Sequence, residues 1–309
     1  RSVLIIPRVV LGRRDGVCWV TRIGGARDAV AETPFGPDFR VDLAPGAMDA
    51  DGYRAAVDVA VRRVLDGRLE KVVLARDLTG RLPDEADLRL VLGDLALSYP
   101  DTWTFAVDGL IGSSPETLVQ VRGGTVTARV LAGSSGRGAD AASDEAAAVA
   151  LATSTKDVDE HRFAVESGGD TLRPHVRGIA ASELPFALKL PNLWHLASDV
   201  EGPLGDGSSS LDLAAALHPT AAVAGTPRQV ALALIDELEP FDRCRYGGPV
   251  GWVDAAGDGT WAISLRSAEI GPDGTVTAFA GAGILAESVP DRELAETTLK
   301  FRPIVEAFG

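Results

Sequence analysis

The chain has 309 residues, 46% of them hydrophobic, enough for one large domain or two ordinary ones with a sizeable core. A net charge of -14 and a pI of about 4.7 argue against nucleic acid and against an anionic membrane surface as partners. No apolar run reaches the ~18 residues that span a bilayer, no secretory leader is evident in a chain that starts at Arg1, and Cys18 and Cys244 lack metal or redox spacing, which points to a reducing cytoplasm.

Residues 1–50 are weakly patterned and run into the turn-rich "LAPGAMDADG". "YRAAVDVAVRRVL" (53–65) has apolar residues at helical spacing, and "KVVLARDL" (71–78) reads as a strand. The turn "LPDEAD" follows. "ETLVQVRGGTVTARVLAG" (116–133) alternates around Gly123-Gly124 as a β-hairpin does. "SDEAAAVALATSTKDVDEHRFAVES" (143–167) reads as helix in two pieces, with Ser143 as the expected N-cap. A loop, "LHPTAAVAGTP" (217–227), precedes a helix starting near Pro227. A second hairpin, 248–270, turns at "AAGDG", and the strand "TVTAFAGAGI" (275–284) leads into a final helix after Pro290. Hairpins and long helices without strict βαβ alternation predict an α+β fold with antiparallel sheets.

Several residues could carry chemistry. Lys71 stands beside Val72, Val73, Leu74 and Ala75. Buried, a lysine loses hydration, its pKa falls and it can act as a base; on an edge strand it would simply face water. Glu116 follows a proline in a turn, where it is either a raised-pKa general acid or an exposed turn residue. Asp157 and Glu160 stand at i, i+3 on one predicted helix, as do Glu293 and Glu296 on another. Facing each other, four carboxylates would need a hard cation such as Mg²⁺; apart, each pair is a solvated face. The loop before Pro227, the backbone at Gly281 and Gly283, Arg266 and Tyr246 are candidate anion binders, though each is equally suited to a structural role. His195 lies in an apolar run, where a core histidine is the plainer reading.

Together, "EKVVLAR", "GSSPETLV", "LAGSSGRG", "STKDVDEHRF", "HLASDVEG", "LHPTAAVAGTP", "RYGGPVGWVDAAGDGTWAISLRSAEI" and "AGAGILAESVPDRELAETTLK" resemble the chorismate-utilising enzymes. That family includes isochorismate synthase, salicylate synthase and the large components of anthranilate and aminodeoxychorismate synthases. The resemblance runs from about residue 69 to 300; residues 1–50 match less clearly.

The resemblance implies a single catalytic domain over 1–309, with antiparallel sheets packed together and flanked by helices. It implies Mg²⁺ held by Glu160 and Glu296, with Asp157 and Glu293 holding metal-bound waters; Asp157 is shorter than the Glu of relatives. Lys71 would activate water and Glu116 would be the general acid. Tyr246, Arg266, Gly281, Gly283 and Lys300 would bind substrate carboxylates, with Gly133 and His195 lining the site. Ammonia-using relatives carry Gln at the Lys71 position, and pyruvate-eliminating relatives carry Thr where Ala222 precedes Val223. The implied reaction is chorismate to isochorismate by a monomer, with salicylate synthase as the alternative.

Overall fold

The computed structural model describes residues 2–14, 16–24, 33–182 and 184–309. The weakly patterned N-terminal stretch contains a hairpin that the sequence reading did not foresee, β1 (Val9–Arg14) with β2 (Val17–Arg22); β2 is wholly exposed. Residues 25–32 of that stretch lie outside the described residues. After β3 (Ala44–Pro45) comes α1 (Ala50–Leu65), capped by the Asp49 side chain accepting from Gly52 N. β4 (Lys71–Arg81), α2 (Leu88–Ser98) and the hairpin of β5 (Trp103–Val107) and β6 (Leu110–Ser114) follow. β7 (Thr117–Arg122) and β8 (Thr125–Gly136) turn at Gly123-Gly124, both with positive φ, as the alternation predicted.

α3 (Ala141–Thr153) and α4 (Thr155–Leu172) are the two helical pieces, broken at Ser154, whose side chain caps α4. Ser143 is not the cap of α3. Asp140 is, and Ser143 closes its capping box, because the aspartate lies where the chain is still extended. The chain continues through β9 (Ala180–Ala181), β10 (Phe186–Lys189), β11 (Leu193–Pro203), α5 (Ser210–Leu217), β12 (Gly225–Thr226) and α6 (Arg228–Leu238). β13 (Pro249–Val253) and β14 (Gly259–Ile263) form the second hairpin. β15 (Ser267–Ile270), β16 (Thr275–Ile284) and α7 (Pro290–Phe308), with proline in its first turn, end the fold.

Among the described residues the larger sheets are two, each seven-stranded and antiparallel. One runs β10-β11-β8-β7-β14-β13, with β9 beside β11; the other runs β12-β4-β16-β15-β6-β5, with β3 beside β4. The chain passes directly from a strand of one sheet to a strand of the other at residues 115–116 and 264–266, and it also changes sheet through helices on either side of β12. Period-two alternation divides β4 and β16 between two environments. Val72, Leu74, Val276, Ala278 and Ile284 pack against helices, in cores shared with Tyr53 and Val57 of α1, Leu95 of α2, Leu234 of α6 and Phe301 of α7. The intervening Lys71, Val73, Gly281 and Gly283 turn the other way. On the first sheet, Val119, Val126 and Trp261 bury themselves with Leu213 and Leu217 of α5. Leu110, Val250 and Ala262 join the sheets directly. No described helix is long and apolar enough to cross a membrane.

Candidate active site

One pocket where the sheets meet gathers Glu116, Gly133, Glu160, His195, Ala222, Val223, Tyr246, Arg266, Gly281, Gly283 and Lys300. These positions are scattered along most of the sequence, and the sheet topology is what brings them together. Val73, Pro115, Leu131, Ala132, Ser134 and Leu265 complete the lining; small or apolar for the most part, they gave no chemical signal in the sequence.

Lys71 opens β4, but it is not an edge lysine facing water. β12 pairs on one side of it and β16 runs on the other, and its side chain is 0% exposed. Its ammonium stands 3.2 Å from Glu160 Oε1, out of hydrogen-bond line, and has no hydrogen-bond partner among the described residues. Glu160, on α4, is itself buried. Burial works to raise its pKa, but Lys71, Lys156 and Lys300 outweigh it and hold the carboxylate below its usual range. The close approach of the pair depends on Gly283, since a Cβ there would lie 2.1 Å from Glu160 Oε1 and 2.9 Å from Lys71 Cε.

Glu116 occupies a sheet crossing and is 4% exposed. Desolvation pushes its carboxyl up to about 8, against a hydrogen bond from the Leu131 backbone and the opposing pull of Arg266, Lys71 and Lys300. Arg266 lies at the other direct crossing with φ of 49°, a backbone state that a non-glycine residue adopts only when its surroundings impose it. Its guanidinium donates to His195 Nε2 at 2.9 Å. A guanidinium cannot accept, so Nε2 carries the lone pair and Nδ1–H donates to Gly133 O, 3.1 Å away. Burial, with Arg266 and Lys300 adjacent, keeps His195 neutral, well below the usual histidine pKa. Gly133, at φ 83°, leaves room for Asp157, whose Cβ would lie 3.0 Å from a side chain there.

α7 supplies the remaining charges. Lys300 donates to Gly281 O at 2.9 Å and to Glu296 Oε1 at 2.6 Å. Glu293 is 1% exposed and pairs with Lys156 of α4 at 2.9 Å, so the two acidic helices do meet. Lys156 was not singled out in the sequence. Burial opposes its charge, but Glu293, Glu160 and Glu296 outweigh that and hold it above the usual lysine range. Burial and the Glu296 charge raise Glu293, and burial raises Asp157. Tyr246 packs on Phe279 with ring centroids 5.5 Å apart, and the Gly281 N–H reaches its hydroxyl.

Among the described residues, no three acidic, histidine or cysteine side chains stand at metal-holding distances. Glu160, Glu293 and Glu296 each face a lysine instead. The donor set nevertheless suits a hard cation: it consists of carboxylate oxygens, two of the acids repel one another, and Glu293 Oε2 is buried without a hydrogen-bond partner among the described residues.

A family model described as chorismate binding enzyme matches residues 36–309, and the chain belongs to that family. Isochorismate synthase DhbC of Bacillus subtilis is 39% identical over 273 residues, covering 84% of this chain and 68% of that protein. Among solved structures, a Bacillus anthracis protein assigned as a 2,3-dihydroxybenzoate-specific isochorismate synthase superposes with a TM-score of 0.83 at 35% identity, over 95% of this chain and 78% of its own. Anthranilate synthase component I of Streptococcus pneumoniae superposes with a TM-score of 0.76 at 25% identity, over 87% of this chain and 61% of its own. The architecture is thus shared by proteins named for different reactions, and the residues of the pocket must decide between them.

Proposed function

We propose that this protein is a Mg²⁺-dependent isochorismate synthase, converting chorismate to isochorismate. The observation that carries the reading is the opposite state of two buried glutamates at one pocket: Glu160 is held ionised beside Lys71, whereas Glu116 keeps its proton up to about pH 8. Glu160 and Glu296, with Asp157 and Glu293 through water, would hold Mg²⁺. When bound, the ion supplies positive charge for the ring carboxylate of chorismate.

The protein groups do the rest. Lys71 Nζ, in its neutral amine form, takes a proton from water as that water attacks C2 of the ring. Glu116 donates its proton to the C4 hydroxyl, which departs as water while the ring double bonds shift. One water enters and one leaves, so the reaction is an isomerisation. Arg266, oriented by His195, and Lys300 bind substrate carboxylates; this local basic lining explains how an acidic protein accepts a dianion. Ala222 and Val223 present no hydroxyl to the pocket, which favours retention of the enolpyruvyl group. Lysine rather than glutamine at position 71 favours water over ammonia as nucleophile. All these residues come from one chain, so a monomer suffices, and light scattering would check it.

The test is product identification by chromatography after incubation with chorismate, with Mg²⁺ and with a chelator. Isochorismate that forms only with Mg²⁺ is expected. Untouched chorismate would overturn the proposal, and abundant salicylate with pyruvate would point instead to a salicylate synthase.

A further inference from the structure

The outer edge of β4 is covered by three different things. Residues 70–73 pair with β12 and the residue before it: Glu70 N donates to Thr226 O, and Val73 N to Ala224 O. Residues 77–79 meet β3 and Gly46. Between them no described strand pairs with this edge, and two side chains occupy its place. Glu239 accepts from Ala75 N at 2.7 Å, and Arg243 donates to Val73 O at 2.7 Å. The two side chains bond each other, with Arg243 Nε 2.7 Å from Glu239 Oε2. Glu239 is 7% exposed, and burial works against the Arg243 charge until Glu239 outweighs it.

Arg243 also reaches the opposite wall. It donates to Val223 O at 2.8 Å, and Val223 and Val73 both line the pocket. Its own carbonyl accepts from Tyr246 N at 2.9 Å, fixing a third lining residue. One guanidinium therefore ties the wall formed by Ala222 and Val223 to the strand that begins with Lys71. A planar guanidinium spreads five donors over three nitrogens and so reaches acceptors on separate segments, whereas a lysine ammonium carries three donors on a single nitrogen.

We propose that Arg243 is a positioning residue that sets the wall of Ala222 and Val223 and thereby controls how much product loses its enolpyruvyl group as pyruvate, the C3–O bond breaking as the C2 hydrogen passes to the enol methylene. The wall contact stands on geometry alone; the effect on products rests on the function proposed above. Arg243→Lys keeps a positive partner for Glu239 while losing the bridge, and Glu239→Gln keeps an acceptor for Ala75 N while losing the charge that holds Arg243. In both variants, amide hydrogen exchange over residues 220–226 is expected to accelerate about tenfold relative to residues 88–98 of the same molecule. KM for chorismate should rise about tenfold with kcat changing less, and the pyruvate-to-isochorismate ratio should rise. Unaccelerated exchange over 220–226 overturns the wall contact. Accelerated exchange with an unchanged KM and product ratio overturns the control of products. If the parent protein leaves chorismate untouched, the functional reading fails, while the exchange measurement still decides the contact.

Discussion

Glu116 and Glu160 are the same side chain, both nearly sealed from water and both bordering one pocket, yet they are held in opposite protonation states. Around Glu160, α4, α7 and β4 bring three lysines, and the charge partners win against burial. Around Glu116, two sheet crossings and an apolar lining leave desolvation as the larger effect, in spite of nearby cations. A carboxyl's role is thus set by what the fold places beside it, and a site that needs both a charged anchor and a proton donor can build them from one residue type.

The comparison can be broken most severely at Glu160. Glu160→Gln leaves Lys71 buried without its counter-charge, which should cost about 3–5 kcal/mol in chemical denaturation and abolish turnover of chorismate. Glu116→Gln should lower kcat by roughly 10²–10⁴ without unfolding the protein, measured by product formation. Its pH behaviour sharpens the contrast. With a folded pKa of about 8 above an unfolded value near 4.5, the native protein binds the extra proton, so this carboxyl's contribution to stability is full below about pH 4.5 and lost as pH rises to about 8. The Glu116→Gln variant should lack that loss, and the parent's activity, needing the acid form, should fall above about pH 8. Gly283→Ala forces a methyl between Glu160 and Lys71; it should cost about 1–3 kcal/mol by overpacking and slow turnover. Arg302→Ala, which removes an exposed ion pair with Glu306 on the outside of α7, should change stability by less than about 0.5 kcal/mol and leave turnover intact.

Local signals carried much of the fold. Alternation around Gly123-Gly124 located β7 and β8, and proline marked the start of α7. The β1–β2 hairpin stayed illegible because its residues, exposed on β2, obey no inside–outside pattern. The site was legible only through resemblance. Spacing put Glu293 and Glu296 on one face of a helix but could not say what that face meets. In the structure Lys300 and Glu296 form an i,i+4 pair, and Lys300 of that pair lines the pocket. Lys156 was invisible because its significance lies in a contact with Glu293, 137 positions away. Arg243 was invisible for the same reason: its bonds reach Glu239, Val73 and Val223, and only the first is close in sequence.

The two direct strand-to-strand passages between the sheets, at residues 115–116 and 264–266, have a consequence for how the molecule can fail. Glu116 sits at one seam and Arg266 at the other, so neither sheet owns a complete set of binding groups. A partly folded form with one sheet assembled has half a cradle and no grip on a ligand. Loss of activity and loss of tertiary structure should therefore superimpose in a denaturant titration, with no dormant intermediate that retains weak binding.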